Sequence, residues 1–127
     1  MALLVALKGL ERVIGRIEHE QRWGPREIDL DLLLFGEHML RVERATAARS
    51  ADPAKGVLQW LEVPHPAAAA RLFVLAPLAD LAPALEPPGW GLSVEAARAR
   101  AQAAEGPDAV EAIAEWDVRS SRWRDLD

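Results

Sequence analysis

Apolar residues recur at helical spacing at the start of the chain, with charged residues between them. The apolar positions are Leu3, Leu4, Leu7, Leu10 and Ile14. This periodicity predicts an amphipathic helix that begins at the first residue and stops at Gly15. A helix with no capping residue and no preceding element leaves its first N–H groups without partners. We therefore expect the natural domain to begin upstream of Met1.

A different pattern occupies residues 28–35, which read IDLDLLLF. Apolar and polar residues alternate at its start, and the run then becomes continuously apolar. That change predicts a β-strand that is buried on both faces beyond its first residues. The polar stretch before it, residues 16–26, contains Gly24-Pro25 and is predicted to be a loop, because a residue before proline avoids helical geometry.

The pattern becomes less regular after this strand. Residues 37–59 hold a charged stretch and then ATAARSADPAKG, whose small residues, proline and glycine predict a loop or insertion at 45–58. Residues 58–63 are predicted to form a short strand that ends at Pro64. The run AAAARLFVLAPLADLAP predicts a helix that Pro77 breaks and that ends before Pro83.

The last part of the chain, residues 86–127, is predicted to be a helical tail. Ser93 is a good N-cap for VEAARARAQAA, and Gly106-Pro107 ends that helix. Asp108 is a candidate cap for a further helix, AVEAIAEW. The polar residues that follow are expected to fray.

Composition narrows the class of protein. A chain of 127 residues, 50% of them hydrophobic, fits a single globular domain. The net charge of −5 argues against nucleic acid as a partner. The absence of cysteine excludes disulfides and thiolate metal sites. The N-terminal apolar segment is too short to span a bilayer and has no signal-peptide features, so we expect a cytoplasmic protein with no membrane partner.

Two aspartates stand at the start of the predicted strand. In an extended backbone Asp29 and Asp31 point to the same face, about 6.5–7 Å apart. Carboxylates this close repel each other, and cations must compensate them where the strand enters the core. Mg²⁺ ions that also bind substrate phosphates suit such a pair. The alternative is an exposed pair that forms salt bridges with Arg22 and Arg26.

The preceding RWGPR segment bears on that choice. Arg22 and Arg26 flank the Gly-Pro turn, so two planar guanidinium groups can lie beside the carboxylates, and Trp23 can cover a planar ligand. Cations for phosphate next to carboxylates for metal indicate phosphoryl-type transfer. In the structural alternative, Trp23 is a core residue and the arginines only neutralise the aspartates.

A second candidate cluster lies in VPHPAAAARLF. His65 stands between two prolines, and together with Arg71 it suits contact with a phosphate. Phe73 suits stacking against a planar ligand. The alternatives are a structural histidine in a proline-rich loop and a phenylalanine of the core.

The segments RWGPREIDLDLLLFG and LEVPHPAAAARLFVLAPLADLAP, in this order, resemble the 6-hydroxymethyl-7,8-dihydropterin pyrophosphokinase family of folate biosynthesis. The similarity includes ALLVALKGLERVIGR and extends over about residues 3–85, apart from the insertion. The resemblance implies an α+β fold, a ferredoxin-like sandwich. It also implies transfer of pyrophosphate from ATP to the pterin hydroxymethyl group, with release of AMP and with two Mg²⁺ ions.

The resemblance also implies roles for individual residues. The metal ligands are Asp29 and Asp31, and the phosphate-binding or catalytic arginines are Arg16 and Arg26. Trp23 matches a tryptophan of a mobile loop that closes over the nucleotide and the pterin. The other nucleotide-binding positions are Glu11, Leu32, His65 and Arg71, and Phe73 matches the aromatic residue that stacks on the pterin. No strong base is needed, because in-line transfer depends on positioning and charge stabilisation.

The chain departs from the family pattern in several places. Lys8 stands where a nucleotide-contacting glutamine is common, Glu18 where some members have arginine, and Trp60 and Glu62 at positions that can contact ATP. The family's first part has no counterpart here: a Gly-Ser-Asn strand, a helix and two strands that complete the pterin pocket.

We therefore expect residues 1–127 to be the C-terminal part of a pyrophosphokinase domain, with an incomplete sheet. An apolar strand without neighbours exposes unpaired edges, so the chain is expected to be a fragment, the product of a misplaced start, or one half of a complemented or swapped assembly. The expected small-molecule partners are ATP and hydroxymethyldihydropterin, and the macromolecular partner is a complementing half or a second copy. The alternative function is a non-catalytic copy that binds nucleotide and Mg²⁺ or another protein.

Overall fold

The computed structural model describes residues 1–14, 28–50 and 53–126, and its helices and short strands fall into two compact units. The helices are α1 (Ala2–Val13), α2 (Leu72–Leu81) and α3 (Val94–Glu105). The strands are β1 (Leu40–Glu43), β2 (Trp60–Val63), β3 (Ala114–Asp117) and β4 (Arg122–Asp125). The first unit holds Met1–Pro66 and Pro87–Gly89, and the second holds Ala67–Glu86 and Trp90–Asp127. Gly15 and the predicted loop at 16–26 lie outside the described residues.

Helix α1 confirms the prediction from helical spacing. Leu4 is buried and packs against Ala48, Leu61 and Val63, which form the core of the first unit. Leu10, on another side of the helix, is 51% exposed. Part of the apolar stripe of α1 therefore faces solvent in the described chain.

Strands β1 and β2 form an antiparallel pair in the register Leu40↔Val63 to Glu43↔Trp60. Strand β2 confirms the strand predicted at 58–63, whereas β1 was not predicted from the sequence. Side chains alternate between the two faces of such a pair, so Leu61 and Val63 enter the core while Trp60 faces the other way.

On the outer face of this strand pair, Arg41 contributes a cross-strand salt bridge to Glu62 at 3.0 Å. Its guanidinium carbon also lies 4.2 Å from the Trp60 ring centroid.

Residues 28–35 do not form the predicted β-strand. They make no ladder with any described strand, and both described sheets are two-stranded. Leu30 and Leu32 are only half-buried, and Phe35 is 48% exposed, so the expected burial on both faces is also wrong for the described chain. A strand is buried in this way only within a sheet that has other elements packed on both of its faces, and the described residues place this segment in no such sheet.

Gln59 organises the loop that joins β1 to β2. Its buried side-chain amide donates to the carbonyl oxygens of Ser50 at 2.9 Å and Gly56 at 3.3 Å, and its Oε1 accepts from the Ser50 N–H at 2.7 Å. A 3₁₀ turn at Thr46–Ala48 places Ala48 in the core with no exposed surface. The segment predicted as an insertion thus contributes a core residue to the first unit.

Helix α2 continues through Pro77, so the prediction that this proline breaks the helix is wrong. Proline has no N–H to donate to the carbonyl of Phe73 one turn earlier. Both residues are exposed, so the lost bond lies where water can replace it. The helix ends at Leu81, which confirms the predicted end before Pro83.

Helices α2 and α3 pack against each other to form the core of the second unit. Leu72 and Leu75 of α2 meet Ala97 and Ala101 of α3, whose small side chains allow close approach. The Leu72 N–H at the start of α2 donates to Glu105 Oε1 at 3.0 Å. A side chain of α3 thus satisfies one of the unpaired N–H groups that every helix start presents.

The ends of α3 are those predicted. Ser93 Oγ accepts from the Ala96 N–H at 3.2 Å, which is N-cap geometry. The helix stops at Gly106, whose φ of 106° is a conformation that glycine adopts readily.

The predicted last helix and frayed end are wrong, because residues 114–125 form an antiparallel hairpin. Trp116 and Trp123 are cross-strand partners whose rings meet edge to face at 5.5 Å, and Glu115 pairs with Arg124. Cross-strand pairs of this kind stabilise a hairpin, and a local helical pattern does not take them into account.

The observed mixture of helices and small antiparallel sheets is the α+β class expected from the sequence. Among the described residues, no helix combines the length and apolar character needed to cross a membrane.

The turn of the hairpin contains a titrating group that can be tested. The Ser120 hydroxyl and the Arg119 N–H both donate to Asp117, and they lower the pKa of that carboxyl from its usual 3.8. Because the pKa is lower in the folded state, these bonds stabilise the turn above pH 3.8 and lose their effect as the pH falls through the folded pKa.

We expect an NMR titration to place the Asp117 pKa below 3.8 and Ser120→Ala to raise it. Ser93→Ala, which removes a hydroxyl from the cap of α3, is the matched control and should leave the Asp117 pKa unchanged. An Asp117 pKa that does not respond to Ser120→Ala would contradict the assigned cause.

Candidate functional site

The two aspartates of the IDLDLLLF segment lie on the same side of an extended backbone. Asp29 and Asp31 are exposed, whereas Ile28, Leu30 and Leu32 between and around them are half-buried. This alternation is the one predicted from the sequence, although the segment belongs to neither described sheet. The nearest described cation is Lys8, whose Nζ lies 3.6 Å from Asp29 Oδ1. Asp31 forms no ion pair with any described residue.

A buried ion pair on α1 holds this segment in place. Glu11 is 1% exposed, and its Oε1 lies 2.7 Å from Lys8 Nζ. The same Oε1 accepts from the Leu30 N–H at 2.7 Å, while Lys8 Nζ donates to the Leu30 carbonyl at 3.2 Å. Both backbone polar groups of Leu30 are therefore satisfied by side chains of α1, as a neighbouring strand would otherwise satisfy them.

A small cavity in the first unit lies between this segment and β2. Its volume is about 80 Å³, well below the roughly 300–1,000 Å³ of typical small-molecule sites. The described residues that line this cavity, called the cavity wall below, thus enclose less space than a typical small-molecule site. The lining residues are Leu4, Lys8, Asp31, Leu32, Arg44, Trp60, Leu61, Glu62, His65 and Pro66.

Both sequence motifs reach this cavity. Asp31 and Leu32 come from the first motif, and His65 comes from the second. The His65 N–H donates to the Leu33 carbonyl at 2.8 Å, which ties the motifs together just beyond β2. Of the residues predicted to bind nucleotide, Leu32 and His65 are thus brought together, whereas Glu11 is buried against Leu30 and is not a lining residue.

The charges around the cavity differ in how far they are compensated. Lys8 is paired with Glu11, and Glu62 is paired with Arg41. Arg44 donates from Nε to the Trp60 carbonyl at 2.9 Å and forms no ion pair with any described residue. Arg44 and Asp31 therefore remain as a cation and an anion of the wall that no described charge neutralises.

Other predicted site residues lie elsewhere. Arg71 and Phe73 belong to the second unit, where Arg71 is the residue before α2 and its guanidinium carbon lies 5.9 Å from the Phe73 ring centroid. Phe73 is 63% exposed, so it is not a core residue of the described chain. Arg16, Trp23 and Arg26 lie outside the described residues, and their roles stay predictions.

Sequence reasoning did not single out Arg44. It lies in the charged stretch before the predicted insertion, and its pairing opposite β2 brings it to the cavity. No motif spacing could have revealed this, because the link depends on a strand pair that was itself not predicted.

Comparison with known proteins agrees with the geometry. The family model described as 7,8-dihydro-6-hydroxymethylpterin-pyrophosphokinase matches residues 1–83. That range includes α1, both motifs and every residue that lines the cavity. The chain therefore belongs to this family.

Individual relatives show the same similarity. The chain is 46% identical over 86 residues to 2-amino-4-hydroxy-6-hydroxymethyldihydropteridine pyrophosphokinase of Pseudomonas aeruginosa, covering 68% of this chain and 43% of the relative. It is 37% identical over 92 residues to the protein of the same name from Synechocystis, covering 72% and 38%. It is also 38% identical over 79 residues to a folate synthesis bifunctional protein of Arabidopsis thaliana, covering 62% and 13%. The matched part thus spans about two fifths of the length of the first two relatives.

The buried ion pair offers a direct test of how the site is held. Lys8→Met removes the cation that lies 2.7 Å from the buried Glu11 carboxylate, so we expect it to lower the free energy of unfolding by about 3–5 kcal/mol. The double variant Lys8→Met with Glu11→Leu removes both charges and should regain most of that loss. Urea unfolding followed by circular dichroism measures both.

Arg98→Met is the matched control, because Arg98 and Asp80 form an exposed pair at 3.5 Å. It should cost less than about 1 kcal/mol. Equal losses from Lys8→Met and Arg98→Met would show that the Lys8–Glu11 pair does not hold the segment.

Proposed function

We propose that this chain supplies the nucleotide and metal side of a pyrophosphokinase. The reaction is the transfer of pyrophosphate from ATP to 6-hydroxymethyl-7,8-dihydropterin in folate biosynthesis, with release of AMP. The proposal extends the family membership to the activity, the substrates and a cytoplasmic setting. The fold that goes with it is the ferredoxin-like sandwich, to which this chain contributes an incomplete sheet.

One observation carries the proposal: the cavity wall combines Asp31, Leu32 and His65 from two distant motifs. An acidic group next to an apolar surface and an imidazole can receive a metal-bound phosphate at one end and an aromatic base at the other. The position of Asp29 just outside the cavity adds a second carboxylate on the same side of the backbone.

The carboxylates fit Mg²⁺ in number and kind. Within the described chain there is no group of three or more His, Asp or Glu that would hold a metal ion by itself. Mg²⁺ does not need one, because it is commonly held by one or two carboxylates together with substrate phosphates and water. Asp29 and Asp31 would hold the two ions, which supply charge neutralisation at the transferred phosphates.

The chain's own residues position the reactants. The backbone of Leu30, fixed by Lys8 and Glu11, sets the direction of the carboxylates on either side of it. Glu11 thus supports the nucleotide site indirectly, because it fixes the backbone of Leu30. Leu32 and His65, which line the cavity, contact the nucleotide directly. In-line transfer relies on such positioning and on charge stabilisation, so no strong base is required.

The remaining assignments rest on the motifs alone. Arg16 and Arg26 are proposed to bind the phosphates during transfer, Trp23 to close over nucleotide and pterin, and Arg71 to bind the nucleotide. Phe73 is proposed to stack on the pterin, in line with its 63% exposure. A complementing polypeptide or a second copy of this chain is the proposed source of the rest of the pterin pocket.

Calorimetric titration of the purified chain tests the proposal. We expect a non-hydrolysable ATP analogue to bind in the presence of Mg²⁺ and to bind poorly without it. Asp29→Asn and Asp31→Asn should each weaken the Mg²⁺-dependent binding by about tenfold or more, since even partners one step removed from a metal are worth about 10–100-fold. Asp108→Asn, an exposed aspartate outside the matched range, is the control.

The pterin then separates the enzyme from a simpler nucleotide-binding protein. Binding of the pterin after the nucleotide analogue, with AMP release from ATP, supports the enzyme. Nucleotide binding without pterin binding supports a nucleotide and Mg²⁺ module that lacks transfer activity. Nucleotide binding that neither aspartate variant weakens would overturn the metal assignment.

A further inference from the structure

Arg44 is held in a fixed position at the end of β1. Its N–H donates to the Gln59 carbonyl at 2.7 Å, which extends the β1–β2 pairing by one residue beyond Glu43↔Trp60. Its own carbonyl accepts from Arg49 Nε at 3.0 Å. Its side-chain Nε donates to the Trp60 carbonyl at 2.9 Å. The backbone and the inner end of the guanidinium group are therefore both anchored, which limits the entropy lost when the group binds a ligand.

The outer end of the same guanidinium group is unpartnered. No described residue accepts a hydrogen bond from its Nη atoms. The other arginines of this strand pair and its loop differ, since Arg41 pairs with Glu62 at 3.0 Å and Arg49 pairs with Glu43 at 2.6 Å. Arg44 is thus the arginine of this group that lines the cavity with donors still available.

The charge pattern of the wall defines the ligand that fits it. Arg44 and Asp31 both line the cavity, yet they form no ion pair with each other. A ligand that satisfies both must carry an anionic oxygen for the guanidinium group and a cation for the carboxylate. A polyphosphate with a bound divalent cation has both, and a planar guanidinium group binds phosphate oxygens well.

We propose that Arg44 binds a non-bridging oxygen of the nucleotide polyphosphate and is a substrate-positioning residue of the site. This inference rests on the proposed function. It assigns to the residue that follows β1 a cationic contact next to Trp60 and Glu62, two of the positions where the chain departs from the family pattern. The contact reaches the nucleotide across the strand pair, from the residue that follows β1.

Titration of Arg44 variants with two ligands tests the proposal. We expect Arg44→Gln to weaken binding of the Mg²⁺ complex of a non-hydrolysable ATP analogue by about 10–100-fold, the range for a lost hydrogen bond to a charged group. Binding of adenosine, which has no phosphate, should change by less than about twofold, within the error of such differences. Arg44→Lys keeps the charge without the planar fork and should fall between the two.

Lys55→Gln is the matched control, because it removes one positive charge from an exposed position of the same unit. It should not change either affinity. Circular dichroism of each variant checks that the fold is kept. If loss of the bond to the Trp60 carbonyl unfolds Arg44→Gln, the Arg44→Lys variant provides the test. An unchanged affinity of Arg44→Lys for the nucleotide analogue then overturns the proposal.

The outcomes separate this inference from the proposed function. If the aspartate variants weaken Mg²⁺-dependent binding and Arg44→Gln does not, the role of Arg44 is overturned while the proposed metal site stands. If Arg44→Gln weakens binding and the aspartate variants do not, Arg44 is a phosphate contact and the metal assignment fails. Equal weakening of adenosine and of the analogue would overturn the phosphate contact, and failure of the wild-type chain to bind either ligand would overturn both.

Discussion

The described site depends on the buried pair Lys8–Glu11, because this pair replaces a neighbouring strand. Removing two charges from water is costly, and the cost is recovered only when each charge has good hydrogen bonds. Here both charges bond to the backbone of the same residue, Leu30, at 2.7 Å and 3.2 Å. The result is an extended segment that keeps its conformation and its pair of exposed carboxylates without belonging to either described sheet.

This arrangement explains why the IDLDLLLF segment was predicted only in part. The alternation of residues 28–32 describes the local backbone, and the structure agrees with it. Burial of both faces depends on the elements that pack on either side of a sheet, and a local pattern does not contain that information. The same reasoning applies to the two motifs, which are connected by a long-range hydrogen bond between His65 and Leu33.

Elements determined by signals close in sequence were predictable, whereas those that depend on contacts between strands were not. Helix α3 follows from the Ser93 cap and the Gly106 stop, which are local signals. The C-terminal hairpin depends on Trp116 meeting Trp123 across the strands, and a helix-favouring alanine-rich run conceals it. In the site, Asp31, Leu32 and His65 were found through motifs, whereas Arg44 depends on the register of an unpredicted strand pair.

The same electrostatics make the two aspartates unequal. Lys8 Nζ lies 3.6 Å from Asp29 Oδ1 while bonding more closely to Glu11, so Asp29 is partly compensated before any ligand arrives. Asp31 has no such neighbour among the described residues and faces the cavity. Coulomb attraction falls with distance and with compensation by other charges. A cation that enters the cavity is therefore attracted more strongly to Asp31 than to Asp29. Lys8 therefore leaves Asp31, on the side of the cavity that Arg44 also lines, as the less compensated of the two carboxylates.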